Sequence, residues 1–227
     1  MLKPKKKITR KEIKKDPVLE NIAKAEAFIR EKTKLLGYIL IAVTVILVLS
    51  ILMIRSKKKA NIEAAGELGI AEMAISRGDI DDAVLRLENI VNTYKGTKNA
   101  GVATALLAQT HLNKSEYEEA EQNFKRYVDK FGDDDMILAS AYSGLAVCAE
   151  KKDDYGSAAG YFEKAGKIAP YKFQKHEYQI NGVRNLIKTS QLGKADQIVT
   201  DLLQDDPNFQ NKSALEQLSA QIKVLKG

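Results

Sequence analysis

Residues 139–172 read ASAYSGLAVCAEKKDDYGSAAGYFEKAGKIAPYK. Leu145 and Ala146 sit in an apolar stretch that ends at the polar run Lys151 to Asp154. Beyond it Tyr155, Ala158, Phe162 and Ala165 follow at helical spacings of three, four and three, until Pro170 stops the pattern. The stretch reads as two amphipathic helices joined by a tight turn. Such a hairpin cannot bury its apolar face alone and must stack on others.

The flanking sequence supplies them. Aligning Ala83, Ala120, Ala158 and Ala195 gives intervals of 37, 38 and 37 residues. Other columns fall into register: Ile80, Tyr117, Tyr155 and Leu192 three before, and Leu87, Phe124, Phe162 and Val199 four after. Further columns hold Ile90, Tyr127, Ala165 and Leu202, and the pairs Ile70-Ala71, Leu107-Ala108, Leu145-Ala146 and Gly182-Val183. Repeats are predicted at 64–97, 101–134, 139–172 and 176–209, the outer two degenerate as terminal units are.

The columns resemble the tetratricopeptide repeat, whose paired helices meet through an apolar pair on helix A and a small residue on helix B. In that reading Ala83, Ala120, Phe124, Ala158, Phe162 and Ala195 pack the hairpins. Helix starts inside the repeats are expected at Gly78-Asp79, at Ser115 with Glu118 as a capping box, at Asp153-Asp154 and at Ser190. After Pro207, residues 211–227 carry Leu215, Leu218, Ile222 and Leu225 at helical spacing and form a capping helix.

Before the repeats, Leu35 to Ile54 run twenty positions without a charge, fourteen of them Leu, Ile or Val. At the helical rise that is about 30 Å, a bilayer's hydrocarbon thickness. Arg55-Ser56-Lys57-Lys58-Lys59 follows directly where a cleavable signal would show small residues, so the span is read as retained. The predicted fold is all-α: one N-terminal transmembrane helix, then a solenoid of about four tetratricopeptide-like repeats with a C-terminal cap.

The net charge of +6 divides unevenly along the chain. Residues 1–59 hold sixteen Lys/Arg and five Asp/Glu, a balance of +11; the remainder holds twenty and twenty-five, a balance of −5. Twelve of the cations precede the span, which predicts a cytoplasmic N-terminus and a translocated repeat domain at a bacterial inner membrane. The tail over 1–15 is expected to be disordered. Residues 16–34, opened by Asp16-Pro17, form a juxtamembrane amphipathic helix, either lying on an anionic leaflet or simply leading into the span. Residues 55–63 are a basic linker or helix extension. An acidic repeat domain with no basic stripe does not suit nucleic acid.

Catalytic signatures are sparse. The chain holds two histidines, His111 and His176, one cysteine, Cys148, and no tryptophan. His111 and Cys148 fall in helix A positions and are read as packing residues. Asp133-Asp134-Asp135 lacks the spacing of a calcium loop. No phosphate loop or nucleophile elbow occurs, so no catalytic residue, metal or cofactor is expected. What remains is the inner face of the helix A set, a surface that in solenoids holds a peptide or a partner's helix. By repeat position it comprises Gln109, Asn113, Ser140, Ser143, Val147, Glu150, Glu177, Ile180, Arg184 and Lys188. It is read either as a partner groove or as an ordinary solvated face.

With its charged tail, single span and repeat domain, the layout resembles the YfgM-like family of bacterial envelope proteins, ancillary subunits of the SecYEG translocon. The resemblance implies a non-catalytic inner-membrane scaffold that contacts translocon subunits and hands exported chains to periplasmic chaperones. A scaffold for cell division, wall synthesis or outer-membrane assembly would share the layout, and so would a mitochondrial import receptor with its domain facing the cytosol.

Overall fold

A computed structural model describes residues 17–205 and 212–227, and among them every regular element is an α-helix. The tail over 1–15, the Asp16 cap and Pro207 lie outside the described residues. By compactness the chain divides into Met1–Ser56 and Lys57–Gly227.

The first helix, α1, runs Pro17–Ser76 with one non-helical residue inside it, Lys32 (φ −105°, ψ 16°). No proline interrupts it, and its glycines stand singly among good helix formers, so nothing local ends it. The 55–63 stretch is therefore helical, and α1 supplies helix A of the first repeat. Its N-terminal part is long and apolar enough to cross a membrane, and the most apolar window is wholly unburied. Thr44 and Ser50 donate their hydroxyls back to the carbonyls of Leu40 (2.8 Å) and Ile46 (2.7 Å), so neither needs water.

The second unit is a stack of hairpins. The end of α1 pairs with α2 (Ile80–Thr93), α3 (Lys98–Asn113) with α4 (Tyr117–Lys130), α5 (Asp135–Lys151) with α6 (Tyr155–Ile168), and α7 (Lys172–Lys188) with α8 (Leu192–Asp205). Helix α9 (Lys212–Lys226) follows. Ala83, Ala120, Ala158 and Ala195 are each fully buried, as the close approach of paired helices requires. The core is serial rather than central. One cluster joins Ala64, Leu68 and Ala71 to Leu87, Ile90 and Leu107. The next holds Phe124, Tyr127 and Leu145, and a third Ala146, Phe162 and Tyr178. The last gathers Val183, Leu186 and Val199 under Leu215, Leu218 and Ile222 of α9. Leu225, expected on the same face, is 53% exposed.

The turn inside each repeat is built differently from the expected capping box. Gly78, Ser115, Asp153 and Ser190 all take left-handed φ, of 79°, 63°, 57° and 58°. After each, a backbone N–H reaches back to an A-helix carbonyl: Asp79 to Ala74 (2.9 Å), Glu116 to His111 (2.9 Å), Asp154 to Ala149 (3.0 Å) and Gln191 to Leu186 (2.8 Å). That is the six-to-one bond of a Schellman ending, so Ser115 and Ser190 close a helix rather than open one. Asp154 does cap the helix after it, accepting from the Ser157 N–H at 3.0 Å. Between repeats, Thr97 and Asp134 cap α3 and α5. Asp134 is thereby committed to Met136 and Ile137, which accounts for one member of the acidic run.

Candidate partner groove

The A helices α3, α5 and α7 lie side by side, and a hollow of about 380 Å³ opens across them. Of the expected groove residues, Gln109, Ser140, Ser143, Val147 and Glu177 line it. Helix α3 contributes Gln109 beside Leu112; α5 contributes the short side chains Ser140, Ser143 and Gly144, which make the depth. Helix α7 closes the far wall with Phe173, Gln174, Glu177 and Tyr178. Glu177 is the one charged residue in this lining. A smaller hollow of about 250 Å³ lies further along α7 and includes Glu177, Ile180 and Arg184, with Ala214 of α9.

Three expected residues line neither hollow. Asn113 accepts a hydrogen bond from Gln109 Nε2 at 2.9 Å and steadies it from the next turn. Glu150 accepts from Asn185 Nδ2 at 2.6 Å, tying α5 to α7. Lys188 holds its ammonium 4.0 Å from the centroid of the Tyr155 ring, a cation–π contact that draws it toward α6. Ile180 is 4% exposed and belongs to the last core cluster, so it gives the smaller hollow a floor rather than a contact point. Arg184 is steadied by a bond from Nη1 to Asn181 Oδ1 (2.8 Å).

Phe173 was not foreseen. It is 63% exposed on the rim and stacks on Tyr171 with centroids 5.8 Å apart and planes at 16°. The signal was available: Phe173 and Tyr171 follow Pro170 and fit none of the apolar columns. Aromatics left out of the core beside a hollow offer large contact area at low entropic cost.

The lone chemical groups are engaged elsewhere. His111 Nδ1 lies 2.6 Å from Glu116 Oε2, and this bond with that from Lys114 lowers the Glu116 pKa. His176 is buried, with Nε2 3.3 Å from Asp205 Oδ2. The Cys148 thiol is fully buried, and burial pushes its pKa up to about 11. Among the described residues no group of His, Cys, Asp and Glu is arranged to hold a metal. The hollow instead offers shape, hydroxyls, two amides, one exposed aromatic and a single carboxylate.

No protein-family model matches this sequence, and no curated protein does. Among solved structures the chain is similar to YrrB, described as a TPR protein with an unusual peptide-binding site, with a TM-score of 0.56 and 13% identity over 70% of this chain and 76% of that one. It is also aligned with PilF of Pseudomonas aeruginosa, with a TM-score of 0.34 and 13% identity over 75% of this chain and 93% of that one. The first likeness supports the tetratricopeptide-like fold.

Proposed function

We propose that this chain is a membrane-anchored scaffold that binds other proteins through the hollow across α3, α5 and α7. The observation that carries the reading is the hollow itself, with small and hydrogen-bonding side chains along it and one exposed aromatic, Phe173, in its wall. A backbone laid along it would find Gln109, Ser140 and Ser143 as partners and Phe173 as a stacking edge. YrrB, similar in fold, is described as having a peptide-binding site. The unburied apolar helix gives the domain a bilayer anchor, and the cations before it favour a cytoplasmic N-terminus and a periplasmic repeat domain. Protein export at the inner membrane is the process this layout suits best, with translocon subunits and periplasmic chaperones as partners.

Cross-linking in intact cells through a C-terminal tag, followed by mild detergent extraction and mass spectrometry, tests the reading. Recovery of translocon subunits with exported chains or chaperones is expected. Recovery of division or wall-synthesis proteins instead would keep the scaffold and replace the process. Protease added to spheroplasts should cut the repeat domain; a domain cut only after lysis would overturn the topology.

A further inference from the structure

The basic residues past the span are not confined to α1. Lys57, Lys58 and Lys59 are exposed on that helix, and the loop between α2 and α3 brings Lys95 and Lys98 to the same end of the domain. The Lys57 ammonium lies 3.8 Å from where a Cβ on Gly96 would stand, so the loop and the helix meet at that lysine. One turn further on, Asn61 fastens the start of α3: its Oδ1 accepts from the Asn99 backbone N–H at 2.9 Å, and its carbonyl accepts from Asn99 Nδ2 at 2.8 Å. Packing thus brings Lys57 of α1 to the loop that carries Lys95 and leads into Lys98, joining two segments nearly forty residues apart.

Little nearby offsets them. Among the described residues, Glu63 is the one carboxylate paired within this group, 3.9 Å from Lys59. Lys57, Lys58, Lys95 and Lys98 make no ion pair among the described residues. Like charges brought near one another without counter-charge raise a local positive potential.

Position in the chain says what the field faces. Lys57 is three residues past Ile54, the last residue of the uncharged stretch. Three residues reach at most about 10 Å fully extended and about 4.5 Å as helix. At any angle of the helix, Lys57 is then within about a Debye length of the lipid headgroups. Gly96, next to Lys95, meets Lys57, and Asn99, next to Lys98, is bonded to Asn61, so both lysines lie on the segment that packs beside the start of the repeat domain.

We propose that Lys57, Lys95 and Lys98 together dock on anionic lipid headgroups and hold this end of the repeat domain at the bilayer surface. It goes beyond the scaffold reading and rests on the membrane anchoring in it.

The test uses the full chain in nanodiscs of phosphatidylcholine alone or mixed with phosphatidylglycerol, with a donor dye at Asn92→Cys and an acceptor on lipid headgroups. Asn92 is exposed near the end of α2, and buried Cys148 is not expected to take the dye. Energy transfer is expected to be higher in the anionic discs and to fall to the neutral-disc level in Lys95→Glu/Lys98→Glu or in 1 M salt, where screening acts over about 3 Å. Lys95→Gln/Lys98→Gln should fall between, and circular dichroism should match across all chains. Equal transfer in both lipids, or no response to charge reversal, would overturn the docking while leaving the anchor intact. Failure of the chain to enter either disc would overturn the anchor and the docking together.

Discussion

The Phe124 ring fills the space where Gly144 would carry a side chain. A Cβ built on Gly144 would stand 2.8 Å from Phe124 Cδ2 and closer still to Cε2 and Cζ, and the ring itself is 2% exposed. Helix α4 of one repeat thus rests on α5 of the next through an aromatic set against bare backbone. Gly144→Ala should cost about 1–3 kcal/mol, because neither the ring nor the backbone has room to give. Phe124→Leu should recover part of that loss in the double variant. Thermal unfolding of the two single variants and the pair reads the coupling, and simple additivity would contradict it.

The left-handed turn residues offer a stabilising test. Ser190 holds φ 58°, a conformation that costs a side-chain-bearing residue about 1–2 kcal/mol and glycine almost nothing. Ser190→Gly should raise stability by about 0.5–1 kcal/mol after glycine's greater loss of chain entropy. Gly78, at the same turn of the first repeat, is the internal control, and Gly78→Ser should move the other way.

Much of this architecture was legible beforehand because the same physical demand recurs every 37 or 38 residues. A close helix approach needs alanine, and the alanine column showed it. The turn chemistry was misread, since Ser115 and Ser190 look like helix caps in sequence and are helix terminators in space. Which carbonyl a backbone N–H reaches leaves no composition signal. Repeat position alone places Ser140, Ser143 and Val147 along the hollow, whereas Lys188 is drawn to Tyr155, a contact between neighbouring repeats that column arithmetic does not contain.

Glu163 joins two helices electrostatically. Lys167 and Lys194 each donate to its carboxylate at 2.7 Å and hold its pKa at about 2. The folded value lies below the usual carboxylate range near 4.3, so the contribution is full above about pH 5 and is lost as pH falls through 4 toward 2. The pair is partly open to solvent, which limits it to under about 1 kcal/mol. Glu163→Gln should flatten that part of the stability curve and change neutral-pH stability by less than the same amount. Unfolding midpoints measured across the acid range check both points.

Cys148 should behave as a core residue. With its thiol fully buried and its pKa raised to about 11, thiolate is scarce and inaccessible in the folded chain. A thiol reagent at neutral pH should modify it only as fast as the domain opens, and urea should release full reactivity. Prompt stoichiometric labelling of the folded chain would contradict this placement.

The most direct measurement places a photo-cross-linking amino acid at Ser143, on the floor of the hollow, and in a separate chain at Thr200, on the exposed surface of α8. Irradiation of living cells should give discrete protein adducts from position 143, lost when Phe173→Ala is added, and few from position 200. Equal adducts from both positions, or none from 143, would contradict a partner groove across α3, α5 and α7.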